Sequence, residues 1–304
     1  MAMVEMRNIG PFVDSVPLLD EPERLREKAR EEGCLFFKSL IEPQAVMAVR
    51  RQTLKVCRDH GWLDKDAPLI EGVANGDMPA VVVDGPEWQA FYGDVLGVRD
   101  FHALAQHPAL IDMLERLFAE KVLPHGSNIF RGIFPNSPTV STPPHQDHFY
   151  IGSSEETWTA WMPLGDCPVN LGGLAVVPGS HRQGLLEVHN AQGAGGHGVD
   201  VEEESTWMGG DFLCGDVLIF HSHLVHQGRD NLSADLLRLS VDYRYQPASH
   251  PIRQDLLQPH MGWVTWEEAY AGWPADDPIK YYWKKMDIKI LPPHGNEPPS
   301  RAKS

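Results

Sequence analysis

The sequence has few cysteines and few positive charges, and both shortages exclude classes of protein. Its four cysteines, Cys34, Cys57, Cys167 and Cys214, form no Cys-x-x-Cys pair, so neither a zinc knuckle nor a disulfide framework is indicated. Twenty-six Lys and Arg residues stand against 42 Asp and Glu residues, and the net charge of −16 repels nucleic acid and anionic lipid. We therefore expect buried thiols in a reducing cytoplasm and no nucleic-acid partner.

Long apolar runs are lacking as well. No stretch of about 18 apolar residues occurs, and the N-terminal MAMVEMRNIGPFVDSV has no apolar core, so neither a membrane span nor a signal peptide is indicated. A hydrophobic share of 42% in 304 residues is still enough for a sizeable core. We expect one cytoplasmic domain over residues 1–291 and a disordered tail over residues 292–304.

The residue pattern changes from helix-like to strand-like near Pro124. Residues 21–61 have a helical pattern around the strand-like EEGCLFFKSLI, and the leucines of residues 100–120 predict one more amphipathic helix that covers a sheet. Short strand-like runs follow, namely NIFRGIF, TWTAWMPL, GLAVVPGSH, DVLIF and LRLSVDYRYQ. The sequence thus predicts N-terminal helical elements over residues 1–123 and an antiparallel sandwich or barrel over residues 124–248.

Two segments around the predicted strands are interpreted from composition. Residues 193–205, GAGGHGVDVEEES, are Gly-rich and then acidic, which is typical of a mobile loop between strands. Residues 249–291 are rich in Trp and Tyr and predict an aromatic cap. Packing is the default role of this cap, and a lid or a homodimer contact are the alternatives.

The residues that suggest chemistry begin in TPPHQDHFYIG. In an extended segment His145 and Asp147 point to the same side, so both can bind one metal ion, although a His-x-Asp pair alone is weak evidence. A further imidazole is available in GDVLIFHSHLVHQGRDNLS, where the candidates are His221, His223 and His226. Two imidazoles and one carboxylate form the ligand set of non-haem Fe(II) oxygenases, which leaves positions open for a cosubstrate and dioxygen.

Strict alternation in LRLSVDYRYQ separates a polar face from an apolar face. The polar face carries Arg238, Ser240, Asp242 and Arg244, and the apolar face carries Leu239, Val241, Tyr243 and Tyr245. We expect the polar face to point into the barrel. A buried Arg there can hold a carboxylate through two charge-assisted hydrogen bonds, and Ser240 can add a hydroxyl donor.

The order of these blocks resembles one family. HQD, then G-x-x-x-VPGSHR, then GDVLIFHSHLVHQGRDNLS and the Arg-containing strand are similar to the phytanoyl-CoA dioxygenase-like branch of the Fe(II)/2-oxoglutarate oxygenases, from about Glu31 to Tyr245. Four blocks in this order are much more specific than any one of them. The resemblance implies a double-stranded β-helix (a jelly-roll, cupin-like barrel) with N-terminal helices packed on one sheet.

The resemblance also implies roles for individual residues. His145, Asp147 and His226 correspond to the iron ligands. Arg238, assisted by Ser240, corresponds to the residue that binds the C5 carboxylate of 2-oxoglutarate. The Gly and Ser of VPGSHR correspond to a structural turn.

Several neighbouring residues have competing interpretations. Trp161 corresponds to a family Trp near the cosubstrate, and it is equally consistent with core packing. Arg244 is the rival of Arg238 for the carboxylate, although a salt bridge between Asp242 and Arg244 is the simpler expectation. His148 is out of phase with the ligand face and is expected at the substrate entrance.

These features predict an Fe(II)/2-oxoglutarate-dependent dioxygenase that hydroxylates an unactivated C–H bond of a small-molecule metabolite and releases succinate and CO2. Its cofactor is Fe(II), and its cosubstrates are 2-oxoglutarate and O2. The motifs do not identify the substrate, because substrate contacts lie on variable loops. A metal-dependent hydrolase or isomerase on the same barrel is the alternative, and it would have no use for Arg238. A non-enzymatic binding protein is less consistent, because a degenerate site usually loses at least one ligand.

Overall fold

Most of the helices precede most of the strands, as the change of residue pattern near Pro124 predicts. The computed structural model describes residues 9–76, 85–135 and 141–293, and it confirms a mainly β chain with flanking helices. The helices are α1 (Pro22–Glu32), α2 (Pro43–Asp59), α3 (Pro86–Leu96), α4 (Arg99–Leu104), α5 (Pro108–Phe118), α6 (His148–Ile151) and α7 (Trp266–Ala269). The strands are β1 (Ile9–Gly10), β2 (Cys34–Phe37), β3 (Val122–Pro124), β4 (Ile129–Ile133), β5 (Trp158–Pro163), β6 (Leu174–Val176), β7 (Val188–Asn190), β8 (His197–Val199), β9 (Trp207–Met208), β10 (Val217–His221), β11 (His226–Gly228), β12 (Arg238–Pro247), β13 (Ile252–Arg253) and β14 (Ile290–Leu291).

Proline and glycine set the limits of the N-terminal helices. Pro occupies the first turn of α1, α2, α3 and α5, where its missing N–H costs no helical hydrogen bond. Gly33 ends α1 with φ of 70° and leads directly into β2. The single helix predicted over residues 100–120 is wrong, because α4 ends at Leu104 and Pro108 begins α5 as a separate helix.

Two sheets form the β part of the molecule. The larger sheet has the order β2–β10–β5–β12–β3, and β4 also pairs with the long β12. The smaller sheet has the order β1–β9–β6–β11. In the described ranges these pairings do not close into a barrel, so the closed jelly-roll remains a prediction.

The two faces of β12 meet different environments, as its alternation predicts. The apolar face of β12 packs with helices α1 to α5 in one large apolar cluster. Within this cluster, the Tyr243 hydroxyl donates to the Phe101 carbonyl at 2.6 Å, and the Tyr245 hydroxyl donates to the Ala105 carbonyl at 2.7 Å. The N-terminal helices therefore cover one face of the larger sheet, and the polar face of β12 points away from them.

A second apolar cluster joins the two sheets. Phe36, Trp161 and Leu218 of the larger sheet pack in it with Leu174 and Val176 of the smaller sheet. The sheets thus face each other as in a sandwich, and their facing sides enclose the residues described below.

The remaining segments correct one expectation and extend another. Residues 193–205 are not only a loop, because β8 lies within them and pairs with β7. In the aromatic cap, Trp266, Tyr270, Trp273 and Trp283 form a buried cluster, which is the packing role expected for residues 249–291. Most of the predicted tail lies outside the described residues. In the part of the chain that the structure describes, no helix is long and apolar enough to cross a membrane.

Candidate metal centre and adjoining cavities

His145 and His226 lie directly opposite each other on neighbouring extended segments. Their backbones exchange both hydrogen bonds, at 2.9 and 3.0 Å, and their ring centroids are 4.1 Å apart. His226 is the first residue of β11, and His145 follows the Pro143–Pro144 pair that ends the preceding loop. The strand pairing therefore brings together two imidazoles that are 81 positions apart in the sequence.

Backbone carbonyls orient both imidazole rings. His145 Nδ1 lies 2.8 Å from the Pro143 carbonyl, and His226 Nδ1 lies 2.9 Å from the Leu224 carbonyl. With each Nδ1–H donated to a carbonyl, each Nε2 keeps a free lone pair. The two Nε2 atoms point to Asp147 Oδ1, at 3.7 and 3.8 Å.

Asp147 reaches this position from a turn. It is the residue before α6 and has helical backbone angles, so the prediction that His145 and Asp147 share one extended segment is wrong in detail. Its Oδ2 accepts a hydrogen bond from Thr159 Oγ1 at 2.7 Å and lies 3.3 Å from Arg244 Nη2. Oδ1 is left to face the two imidazoles, and the three ligand atoms lie within 4.8 Å of one another.

The electrostatics of these three buried side chains suit a divalent cation. Burial, together with the neighbouring His226, lowers the pKa of His145 to about 3. Burial likewise lowers the pKa of His226, although Asp147 opposes this shift. Burial alone would raise the pKa of Asp147, but Arg244 holds this pKa below its usual range. Two neutral imidazoles and one carboxylate are the protonation states that metal binding requires.

Arg238 lines a small space, here called the inner cavity, that also borders the His–Asp–His cluster. The cavity is lined by Arg131, Ile133, Thr142, His145, Asp147, Leu174, Phe220, His226, Gly228, Arg238 and Asp242. Arg238 Nη1 donates to Ser240 Oγ at 2.8 Å, whereas the buried Nε has no hydrogen-bond partner among the described residues. Among the described residues Arg238 makes no ion pair with a carboxylate.

The inner cavity has a volume of about 20 Å³, which is room for about one water molecule. A five-carbon diacid is larger than this space. Five residues of the cavity wall, including His145 and Asp147, also line the larger space described below, so a diacid bound here is not confined to this volume. Gly228 helps, because its missing side chain leaves room beside Thr142 and Arg238.

Arg244, the rival of Arg238, has a different position. It pairs with Asp147, while Asp242 pairs with Arg131 Nε at 2.6 Å. The expected salt bridge between Asp242 and Arg244 is therefore wrong. Sequence reasoning also missed Arg131 and Thr159. The single charge in NIFRGIF, and the polar residue two positions before Trp161 in TWTAWMPL, were the available signals.

Trp161 lies in the apolar cluster between the sheets. Its ring packs against Phe212 with centroids 4.7 Å apart, and it is 1% exposed. It lines neither of the two cavities described in this structure. Contact with a cosubstrate remains a prediction for this residue, and the observed contacts are those of a core side chain.

His221 and His223 do not face the His–Asp–His cluster. The His221 ring lies edge-on to Trp158 at 5.3 Å, and its Nδ1 accepts from the His223 backbone N–H at 3.1 Å. His223 packs against His148 instead. Of the three imidazoles considered for the third ligand position, the structure brings His226 to His145 and Asp147.

A larger space, here called the outer cavity, adjoins the same cluster. Its volume is about 980 Å³, and His145 and Asp147 are part of its wall. Aromatic and aliphatic side chains predominate in the wall, including Trp88, Tyr92, Phe130, Phe134, Ile151, Leu256 and Met261. His148 is not part of this wall, so the prediction that it lines the substrate entrance finds no support in the described residues.

Comparison with known proteins identifies the family. Residues 29–239, more than half of the chain, match the family described as phytanoyl-CoA dioxygenase (PhyH). The chain belongs to the phytanoyl-CoA dioxygenase family. It is therefore an enzyme of the Fe(II)/2-oxoglutarate-dependent dioxygenase class, as the order of its sequence blocks predicts.

Two relatives within this similarity are hydroxylases from Streptomyces. The 1-deoxypentalenic acid 11-beta-hydroxylase of Streptomyces exfoliatus is 30% identical over 260 residues, which is 79% of this chain and 87% of the relative. The enzyme of the same name from Streptomyces arenae is 28% identical over 259 residues, which is 78% of this chain and 86% of the relative.

Solved structures share the fold. The epimerase SnoN in complex with Fe3+, alpha ketoglutarate and nogalamycin RO matches with a TM-score of 0.56 at 22% identity, covering 76% of this chain and 85% of that one. Apo EctD from S. alaskensis matches with a TM-score of 0.53 at 17% identity, covering 95% of both chains. At such identities these matches support the fold alone.

Proposed function

We propose that this protein hydroxylates an unactivated C–H bond of a bulky, largely apolar metabolite on a jelly-roll scaffold, with His145, Asp147 and His226 as ligands of Fe(II). The observation that carries the proposal is the convergence of two Nε2 atoms and one carboxylate oxygen, while every other polar atom of these side chains has a partner. This donor set is the one that non-haem Fe(II) oxygenases use.

Arg238 is proposed to bind the distal carboxylate of 2-oxoglutarate, with Ser240 as a second donor. A buried guanidinium without a carboxylate partner is costly, and an anionic ligand would remove that cost. The unpartnered Nε and the Nη groups can donate in parallel to one carboxylate. Within the described residues, the geometry therefore fits an anion better than a merely structural arginine.

When bound, Fe(II) supplies the oxidation chemistry together with 2-oxoglutarate and O2, and CO2 and succinate are released. The chain's own contribution is to orient and shield the reactants. The Pro143 and Leu224 carbonyls keep the two imidazoles in one tautomer, and Thr159 and Arg244 keep Asp147 ionised and fixed.

The outer cavity supports the proposed substrate class. Its volume of about 980 Å³ lies at the upper end of the usual range for ligand pockets, and its wall is mostly apolar. The two Streptomyces relatives are named as hydroxylases of 1-deoxypentalenic acid, which supports hydroxylation as the outcome.

The proposal is tested by adding Fe(II) and 2-oxoglutarate to the full-length protein without oxygen. We expect a visible charge-transfer band, followed by succinate release when air is admitted. His145→Ala and His226→Ala should each remove the band, because each takes away one ligand. His221→Ala is the matched control and should keep it.

Two results would contradict the proposal. Folded wild-type protein that shows neither the band nor succinate is not an oxygenase of this class. Loss of the band in His221→Ala with retention in His226→Ala would reassign the third ligand. A hydrolase or isomerase that uses the same three ligands would bind metal and show no dependence on 2-oxoglutarate.

A further inference from the structure

A second group of potential metal ligands lies outside both cavities. His148, His223 and Glu155 converge there, and the two imidazole centroids are 4.1 Å apart. His148 Nε2 lies 3.7 Å from Glu155 Oε1, and His223 Nε2 lies 3.7 Å from Glu155 Oε2. These distances are too long for hydrogen bonds, so the carboxylate faces two ring nitrogens that it does not bind.

Contacts to Ser222 hold the His148 imidazole in place, and the His223 ring packs against it. The His148 backbone N–H donates to the Ser222 carbonyl at 2.9 Å, and His148 Nδ1 lies 3.4 Å from the Ser222 hydroxyl. The start of α6 is thereby fixed to the turn between β10 and β11, where His223 lies. This arrangement leaves the Nε2 atoms of both rings pointing to one side.

The cluster is open to solvent at its carboxylate. The Glu155 side chain is 78% exposed, whereas those of His148 and His223 are only 11% and 10% exposed. Two preplaced imidazoles at the base and one movable carboxylate at the surface provide a site with an entry path.

We propose that His148, His223 and Glu155 bind a second divalent ion of the zinc class, with water completing a tetrahedron. Two imidazoles and a carboxylate with an open fourth position are a common Zn²⁺ ligand set. Zinc bonds of about 2.0–2.1 Å separate neighbouring tetrahedral ligand atoms by about 3.3–3.4 Å. The observed 3.7 Å distances, one to each Glu155 oxygen, exceed this spacing by about 0.3–0.4 Å, and the exposed Glu155 can move to present one oxygen to both nitrogens.

An ion at this position would restrain the backbone segments that carry two of the proposed iron ligands, Asp147 and His226. His148 directly follows Asp147, and His223 lies three residues before His226. The second ion would thus connect the two segments that carry these iron ligands. We infer a stabilising role for it, because an ion that binds only the folded state stabilises that state.

The test is equilibrium dialysis of the full-length protein against Zn²⁺ alone, with bound zinc measured per chain. Zn²⁺ also suits the His145–Asp147–His226 set, so the wild type is expected to bind two ions. His145→Ala should keep the second ion and lose the first. The double variant His148→Ala/His223→Ala should keep the first and lose the second.

Glu155→Gln tests the same site with little risk of misfolding, because the Glu155 side chain is exposed. We expect it to weaken the second binding step by at least about tenfold. His189→Ala is the matched control, since His189 also faces a carboxylate, at 3.2 Å from Asp200, but has no second imidazole beside that carboxylate in the described structure. It should bind two ions like the wild type.

Cobalt(II) distinguishes a built site from loose surface binding. In the His145→Ala protein, Co²⁺ bound at the second site is expected to show the intense visible bands of tetrahedral cobalt, and Glu155→Gln should weaken them. A wild type that binds one ion, or a double variant that still binds two, would overturn the proposal. Weak octahedral cobalt bands in His145→Ala would overturn it as well.

Discussion

At the scale of single residues, the proposed site depends on which polar atoms already have partners. The Nδ1 atoms of His145 and His226 and the Oδ2 atom of Asp147 are engaged, so Nε2 and Oδ1 are the atoms left for a metal. The same reasoning separates Arg244, whose charge is neutralised by Asp147, from Arg238, whose charge has no carboxylate partner in the described chain. The two arginines share one face of β12 and are expected to have different functions.

Arg238→Met is expected to weaken binding of 2-oxoglutarate and leave the metal centre intact. Methionine keeps the length of the side chain and removes the hydrogen bonds to the carboxylate. Charged hydrogen bonds of this kind contribute about 1.5–3 kcal/mol, which corresponds to about 10- to 150-fold in Kd. The measurement is a 2-oxoglutarate titration of the anaerobic Fe(II) protein, followed by its visible band.

Arg50→Met is the matched control for this experiment. Arg50 is also a mostly buried guanidinium, but it donates to the Leu164 and Glu71 carbonyls, away from both cavities. Its substitution should lower stability without changing affinity for 2-oxoglutarate. Equal affinity loss in the two variants would show that Arg238 acts only through the fold.

At the scale of elements, β12 is the strand on which the architecture depends. It pairs with β5 on one side and with β3 and β4 on the other, and all ten of its residues are buried. The apolar face of β12 is buried by the helical layer. Leu110, Leu114 and Leu117 of α5 form part of that layer. The helices therefore support the site indirectly, by supporting the strand that carries Arg238.

Leu114→Ala is expected to lower the free energy of unfolding by about 2–5 kcal/mol, because it leaves a cavity under α5. Leu114 is fully buried in the cluster between helices and sheet. The measurement is urea denaturation. Asp112→Ala, on the exposed face of the same helix, should change this free energy by no more than about 0.5 kcal/mol. Similar losses in both variants would contradict the assignment of this loss to packing under α5.

At the scale of the whole molecule, several histidines are buried, and this burial makes the fold sensitive to acid. His102 in α4 is buried within the helical layer, where its Nε2 is 2.9 Å from the Leu96 carbonyl. Burial lowers the pKa of His102 to about 4, although this hydrogen bond opposes the shift. His125, in the segment between β3 and β4, has its pKa lowered by burial to about 3.

We therefore expect stability to fall as pH is lowered from about 6.5 to about 4. In this window the unfolded chain binds a proton at His102 that the folded chain does not bind, so acid favours unfolding. A shift of this size is equivalent to about 3 kcal/mol for one site. Urea denaturation at a series of pH values measures how steeply the free energy of unfolding depends on pH. In His102→Gln this slope should correspond to up to about one proton fewer taken up on unfolding. Identical slopes in the two proteins would contradict the assignment.

Local patterns in the sequence predicted the polar and apolar faces of β12 and the residues proposed as iron ligands, but not every element and not every residue around the site. Alternation along β12 determined which of its faces is polar, because a strand has a period of two whatever its neighbours are. The order of the HQD, VPGSHR and HQGRDNLS blocks indicated the family without any coordinates. Proline marked the start of α5, although the pattern of leucines over residues 100–120 concealed the break.

Only the tertiary structure decided which side chains meet. The partners of Asp147 lie on β5 and β12, and the pairing of Asp242 with Arg131 crosses from β12 to β4, so no local pattern encodes them. The same is true of His148 and His223, which are 75 positions apart and converge because α6 is fixed to the β10–β11 turn. Periodicity determines the direction in which a side chain points, whereas its contacts depend on long-range packing between elements.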